Sequence, residues 1–132
     1  MRIFLDTNIF LDLILKRDHY KEAVIILNAV EKNLYEAIIL DITLLNIDYI
    51  AKKQVKDIRN FLSAVNGIVT VLGADNESVK EALAIDNNDL EDNIQYVSAK
   101  KMKCELIVTN DKNFYSADMA VCSSTEFVDK YL

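Results

Sequence analysis

The sequence of 132 residues contains no proline, no tryptophan and only two glycines, Gly67 and Gly73. A chain with so few residues that interrupt helices is predicted to be mostly helical, with short turns capped by Asp, Asn and Ser. Dinucleotide-binding domains are excluded, because they need a glycine-rich turn after the first strand and neither glycine lies there. The sequence shows no linker, repeat or low-complexity segment, so we expect a single domain over residues 1–132.

Cysteines and long apolar segments are scarce as well. Cys104 and Cys122 are too few for a zinc framework, and we predict that both are small buried hydrophobic residues. No apolar run reaches the ~18 residues needed to span a bilayer. Asp6 interrupts the N-terminal segment too early for the apolar region of a signal peptide. We therefore expect a cytoplasmic protein with no membrane partner.

The net charge of −6 gives little general attraction to nucleic acid, because that attraction comes from Lys and Arg near phosphates. Carboxylates clustered in a metal site would contribute to the same total, and bound cations would offset part of it. Net charge alone therefore excludes neither a nuclease nor a protein-binding domain.

Hydrophobic periodicity predicts strands that alternate with helices. The predicted strands cover about 2–5, 36–40, 68–72, 105–109 and 119–122. The predicted helices cover about 7–16, 19–32, 43–53, 55–65, 76–85, 90–102 and 124–131, the last capped by Ser123 or Ser124. This alternation predicts a three-layer α/β/α domain with a mainly parallel central sheet of four to five strands. Ile42, Leu45 and Tyr49 repeat at helical spacing and are predicted to belong to the core.

Aspartates follow two predicted strands and begin one long helix. Asp6 comes directly after the first strand, Asp111 follows the strand 105–109, and Asp89 and Asp92 begin the helix 90–102. In open α/β folds, ligands bind beyond the carboxyl ends of parallel strands. Carboxylates gathered there repel one another unless protons or a cation offset the charge. The pattern therefore predicts a site for a hard divalent cation and a metal-dependent enzyme.

Each aspartate also has an ordinary structural explanation. Asp6 and Asp89 are good helix caps, and Asp111 lies in a polar turn. Their occurrence together at one edge of a sheet favours a functional site over three separate caps. A phosphatase of the haloacid dehalogenase type is disfavoured, because it needs a second aspartate two residues after the first, where this chain has Asn8.

Three short segments resemble the motifs of the PIN-domain family, which includes the ribonuclease toxins of bacterial VapBC toxin–antitoxin pairs. Residues 3–12 resemble the first motif, and residues 89–92 with Gln95 and Ala99 resemble the third. Residues 107–111 with Phe114 resemble the fourth. Chain length and element order are also similar to the family, so the resemblance extends over the whole sequence and predicts a PIN-like fold.

The resemblance implies hydrolysis of RNA phosphodiester bonds with one or two Mg²⁺ or Mn²⁺ ions. The catalytic metal ligands implied are Asp6, Asp92 and Asp111. Supporting positions are Thr7, Asn8, Asn46, Asp89 and Thr109. Lys16 and Arg17, after the first helix, are weaker candidates for contact with the RNA substrate. The resemblance also implies an antitoxin partner and a homodimer.

The sequence departs from the family at Asn46, where the family usually has a glutamate in the helix after the second strand. An asparagine offers a carbonyl oxygen to a cation but carries no charge. Asp48 cannot simply replace the glutamate, because two residues further along is a rotation of about 200° around a helix. A second hypothesis therefore stays open, in which a PIN-like fold binds RNA or protein after partial loss of its catalytic site.

Overall fold

Five short strands form one parallel sheet at the centre of the protein, seen in a computed structural model that describes all of residues 1–132. The strands are β1 (Arg2–Leu5), β2 (Glu36–Leu40), β3 (Thr70–Leu72), β4 (Leu106–Val108) and β5 (Val121–Cys122). Their spatial order is β3-β2-β1-β4-β5, and every neighbouring pair runs parallel. The central strand is β1, so the residue that follows it lies in the middle of the sheet's carboxyl edge.

Seven helices connect and cover the strands. They are α1 (Thr7–Ile14), α2 (Tyr20–Glu31), α3 (Asp41–Ala51), α4 (Ile58–Ile68), α5 (Asn76–Leu83), α6 (Leu90–Lys101) and α7 (Ser124–Tyr131). Ser123 caps α7 and forms a capping box with Glu126, as the sequence predicts. None of these helices combines the length and the apolar character needed to cross a membrane.

Side chains of β1 alternate between two hydrophobic cores, one on each face of the sheet. Ile3 and Leu5 belong to a cluster of 18 buried residues, whereas Phe4 belongs to a separate cluster of 10. All three side chains are fully buried, and each such burial stabilises the fold by ~1.5–3 kcal/mol. The sheet is therefore covered on both faces, and the predicted α/β/α architecture is confirmed.

The end of α4 and the start of β3 both lie later in the chain than predicted. The helix continues to Ile68 and the strand begins only at Thr70. Val65 is buried and Ile68 packs against the same core three residues later, which is helical spacing. The β-branched composition of residues 68–72 predicts a longer strand, but packing of the Ile68 side chain keeps the helix intact for one more turn.

The two cysteines are both free thiols, Cys104 buried and Cys122 half-buried. The prediction that both are buried is therefore right for Cys104 and only partly right for Cys122. Desolvation by burial raises the pKa of each thiol to about 11. Both side chains therefore stay protonated at neutral pH and act as packing groups rather than as nucleophiles.

Candidate active site

The register of β1 against β4 brings Asp6 beside Thr109. Leu5 pairs with Val108, and the backbone N–H of Asp6 donates to the Val108 carbonyl at 3.1 Å, which extends the ladder by one residue. The Thr109 hydroxyl donates to Asp6 Oδ2 at 2.7 Å and accepts the backbone N–H of Asp111 at 3.1 Å. One threonine thus links the acidic residues that follow two adjacent strands.

Three donors fix the Asp6 carboxylate in a buried position. Besides Thr109, the backbone N–H of Thr7 donates to Oδ1 at 2.7 Å and Gln95 Nε2 donates to the same oxygen at 3.3 Å. Asp6 therefore caps α1 and also lies in the acidic cleft, so the two explanations offered by the sequence hold together. Desolvation by burial raises the pKa of Asp6, and these hydrogen bonds oppose part of that rise.

Gln95 is a site residue to which the sequence analysis gave no role. Its side chain is fully buried, and its Oε1 atom has no hydrogen-bond partner. The available signals were its place in the third motif and its position three residues after Asp92, on the same face of α6. Its contact with Asp6 joins α6 to the end of β1.

Asp89, Asp92 and Asp111 form the tightest carboxylate group of the protein. Each contributes one oxygen, and these three oxygens lie within 4.8 Å of one another. Asp89 also caps α6, because its Oδ1 accepts the backbone N–H of Asp92 at 3.1 Å. Desolvation by burial, with repulsion from neighbouring acids, raises the pKa of Asp92 to about 8. The predicted supporting residue Asp89 thus lies in this trio, and Asp6 lies beside it.

An open cleft of about 270 Å³ contains these acids and is lined by no basic residue. Its lining comprises Asp6, Thr7, Asn8, Leu11, Asn46, Ile50, Asp89, Glu91, Asp92 and Asp111. The protein's ion pairs, made by Arg2, Lys100 and Lys101, all lie elsewhere. Several carboxylates without a protein cation are a donor set that fits a hard divalent cation, whose ligands are oxygens. The acidic cluster predicted from the sequence is therefore present.

Asn46 lies in this cleft and contacts an acid that the sequence analysis did not select. Its Nδ2 donates to Glu91 Oε1 at 2.8 Å, and the Thr7 hydroxyl donates to the same oxygen at 3.4 Å. Glu91 directly precedes Asp92 in the first turn of α6. That adjacency was the only available signal, because the contact with Asn46 joins residues 45 positions apart.

A second cavity of about 630 Å³ lies on the other side of Asp111. His19, Lys112 and Asn110 are among its lining residues. Lys16 and Arg17 are exposed and line neither this cavity nor the acidic cleft. Their proposed contact with the substrate stays a prediction.

The predicted core position of Ile42, Leu45 and Tyr49 is wrong. Leu45 is 68% exposed and Tyr49 is 75% exposed, because α3 buries its other face through Thr43, Ile47 and Ala51. The residues of α3 therefore present an apolar surface next to the cleft that Asn46 and Ile50 line.

The family model described as the PIN domain matches residues 2–113, which include every acid of the cleft. The chain belongs to the PIN-domain family. This confirms the resemblance that the three sequence motifs indicate. The parallel central sheet with helices on both faces is thus the fold of a PIN domain.

Relatives of this PIN domain cover almost its whole length. It is 31% identical over 139 residues to Ribonuclease VapC1 of Aquifex aeolicus (strain VF5), covering 98% of this chain and 95% of that protein. Its fold is similar to that of VapC20 of Mycobacterium tuberculosis, a sarcin-ricin loop cleaving toxin. The TM-score is 0.72 and the identity is 12%, over 89% of this chain and 96% of that one. It is also similar to VapBC2 of Rickettsia felis bound to a promoter DNA fragment, with a TM-score of 0.68 and 16% identity over 93% of this chain and 98% of that one.

Proposed function

We propose that residues 1–132 form a single PIN domain that acts as a metal-dependent endoribonuclease. The observation that carries this proposal is the cleft in which Asp6, Asp92 and Asp111 meet from three separate segments. The relative named a ribonuclease, 31% identical over nearly the full chain, supports RNA as the substrate. The donor set of carboxylate oxygens supports Mg²⁺ or Mn²⁺ as the cofactor.

Asp92 and Asp111 would hold the cation together with Asp89, and Asp6 would complete the site from the end of β1. When bound, the divalent cation would activate a water molecule as nucleophile and stabilise charge on the scissile phosphate and the leaving oxygen. Thr109 would keep Asp6 in position through its 2.7 Å hydrogen bond, and the cap made by Asp89 would fix the first turn of α6. The N-terminus of α6 would favour the negative charge of the phosphate through the helix dipole.

The raised pKa of Asp92 gives this residue a second property. At neutral pH the metal-free protein would hold a proton on the Asp92 carboxyl group, because repulsion and burial disfavour its charge. Binding of the cation would release that proton, since a metal ligand must be deprotonated.

We further propose that the protein is the toxin of a toxin–antitoxin pair, that it forms homodimers and that it acts in the cytoplasm. The similarity of this fold to VapBC2 of Rickettsia felis supports an antitoxin as the partner. The apolar residues Leu45 and Tyr49 are exposed on α3. Contiguous exposed apolar patches mark interaction sites, so these residues support binding of a second protein chain to α3. Light scattering of the protein alone and of the co-expressed pair would distinguish a second copy from an antitoxin.

The proposal is tested by incubating structured and single-stranded RNA with the purified protein and Mn²⁺, then sequencing the product ends. We expect defined cleavage positions that disappear with EDTA and with Asp92→Asn. Asp57→Asn is the matched control, because Asp57 precedes α4, makes no side-chain cap and lies outside the cleft. The alternative hypothesis of a binding module rests on Asn46, and it would be favoured if RNA bound equally well with and without metal and was never cleaved.

A further inference from the structure

We infer that Glu91 supplies a fourth carboxylate to the metal cleft and that Asn46 positions it there. The family usually has a glutamate at position 46. Here a carboxylate in the first turn of α6, across the cleft from α3, takes the place of that glutamate. This inference rests on the proposed function, because it adds one ligand and one positioning residue to the same metal site.

The contact between Asn46 and Glu91 fixes one oxygen of the carboxylate and leaves the other available. Oε1 of Glu91 accepts from Asn46 Nδ2 at 2.8 Å and from the Thr7 hydroxyl at 3.4 Å. Oε2 accepts no hydrogen bond from the protein. Glu91 also lines the cleft that contains Asp6 and Asp92, so the unused oxygen belongs to a carboxylate at the proposed metal site.

A glutamate in the first turn of a helix is normally explained by the helix dipole. Helix α5 provides an example of such a glutamate. Glu77 occupies the same place in α5 that Glu91 occupies in α6, two residues after the capping aspartate. The Glu77 side chain is exposed and makes no hydrogen bond or ion pair. Glu91 is instead half-buried and held by side chains from α1 and α3. The dipole alone does not require these contacts.

The chemistry of position 46 follows from the same contact. An asparagine amide can donate to a carboxylate, whereas a glutamate at position 46 would place a second negative charge against Glu91. A hydrogen bond to an ionised acceptor is stronger than a neutral one and limits the rotation of a long side chain. Asn46 therefore orients the carboxylate of Glu91 without competing with it for charge.

The first experiment measures Mn²⁺ binding to the metal-free protein by calorimetry, alongside thermal unfolding with and without Mn²⁺. We expect Glu91→Gln to weaken Mn²⁺ binding by about tenfold, because cation affinity falls with the number of charged ligands. Its metal-free melting temperature should stay equal or rise, since a charge leaves a repulsive cluster. Glu77→Gln is the matched control and should bind Mn²⁺ within about twofold of the parent protein, because it removes the same charge from the same helix position.

The outcomes separate this inference from the proposed function. If Glu91→Gln keeps the parent affinity for Mn²⁺ while Asp92→Asn loses it, the inference is overturned and the metal site stands. If neither variant changes Mn²⁺ binding, the proposed function fails as well. A fall in metal-free stability with unchanged affinity would show that Glu91 only ties α6 to α3.

The second experiment exchanges the two side chains. In the double variant Asn46→Glu with Glu91→Gln, α3 provides the carboxylate and α6 provides the amide that donates to it. We expect it to recover Mn²⁺ affinity to within about threefold of the parent protein. Asn46→Glu alone should be less stable without metal, because it places a second carboxylate against Glu91 and removes the amide donor of Asn46. If the double variant binds Mn²⁺ as weakly as Glu91→Gln alone, then a carboxylate at position 46 does not replace that of Glu91, and the inferred roles of the two residues are wrong.

Discussion

Two helices of this protein, α5 and α6, begin with the same pattern of a capping aspartate followed two residues later by a glutamate, but the pKa of an aspartate is lowered at the start of α5 and raised at the start of α6. Residues 75–78 read Asp-Asn-Glu-Ser and residues 89–92 read Asp-Leu-Glu-Asp. In both helices the first aspartate caps the turn, with Asp75 accepting the Ser78 N–H at 2.8 Å and Asp89 accepting the Asp92 N–H at 3.1 Å. The two helices therefore share the same side-chain cap.

The surroundings of the two caps differ. Lys101 lies 3.8 Å from a carboxylate oxygen of Asp75 at the exposed start of α5, and hydrogen bonds from Ser78 lower the pKa of Asp75. The start of α6 instead faces Asp6 and Asp111 with no cation nearby, and the pKa of Asp92 rises to about 8. The comparison teaches that local sequence determines the helix cap. The acidic site depends instead on Asp6 and Asp111, which follow the strands that end near the start of α6.

The largest expected effect comes from the third residue of each helix. We expect Asp92→Asn to reduce RNA cleavage by at least the ~100-fold loss caused by removing an outer-shell partner of a metal. Its fold should be kept, because the asparagine amide is close in shape and charge to the protonated carboxyl group that Asp92 carries at neutral pH in the metal-free protein. Ser78→Ala, at the same position of α5, should leave the cleavage rate unchanged in a gel assay with Mn²⁺. Persistent cleavage by Asp92→Asn, in a preparation free of contaminating nuclease, would contradict the assigned role of α6.

The second expected effect concerns the two capping aspartates. Asp89→Asn keeps a good N-cap but removes one of the three clustered carboxylates. We expect Mn²⁺ affinity to fall about tenfold in calorimetry, with the metal-free stability unchanged or raised. Asp75→Asn should leave Mn²⁺ affinity unchanged. Equal affinities of the two variants would remove Asp89 from the metal site.

The positions of Asp6 and Asp111 could be predicted because each follows an apolar strand, and parallel strands bring their carboxyl ends to one edge. The cap of α6 could also be predicted from residues 89–92. Neither argument could find the bond between Asn46 and Glu91, since it depends on how α3 and α6 pack across the end of the sheet. The exposure of Leu45 and Tyr49 could not be predicted for a related reason: helical periodicity identifies two apolar faces of α3 but not which one meets the core.

The third expected effect is a dependence of stability on pH in the metal-free protein. Between the unfolded pKa of 3.8 and the folded pKa of about 8, folded Asp92 holds a proton that the unfolded chain has released. The unfolded state therefore binds fewer protons, and the free energy of unfolding falls as pH rises through this window. We expect a fall on the order of 1–2 kcal/mol between pH 5.5 and pH 8.5 after allowance for solvent screening. Urea unfolding in EDTA measures it.

Two controls separate the contribution of Asp92 from other titrating groups. Saturating Mn²⁺ should offset the repulsion and flatten the profile, and Asp92→Asn should flatten it without metal. The α5 cap has the opposite sign, because the lowered pKa of Asp75 gives stability that is lost as the pH falls into the acid range. A metal-free profile that rises with pH between 5.5 and 8.5 would contradict the raised pKa of Asp92.

The smallest expected effect comes from placing a lysine near the start of α6, as Lys101 lies near the start of α5. Asn8 is exposed and lines the acidic cleft, so Asn8→Lys would place an ammonium group near Asp92 and Asp111. A nearby opposite charge favours ionised carboxylates, so the pKa of Asp92 should fall. The free energy of unfolding of the metal-free protein should rise by roughly 0.5 kcal/mol. The same ammonium group should oppose Mn²⁺ and weaken its binding a few-fold. Asn66→Lys is the control, because Asn66 is exposed on α4 and lies outside the cleft. If Asn8→Lys and Asn66→Lys change stability and Mn²⁺ affinity equally, then the total charge of the chain, rather than the unpaired acids at the start of α6, determines both properties.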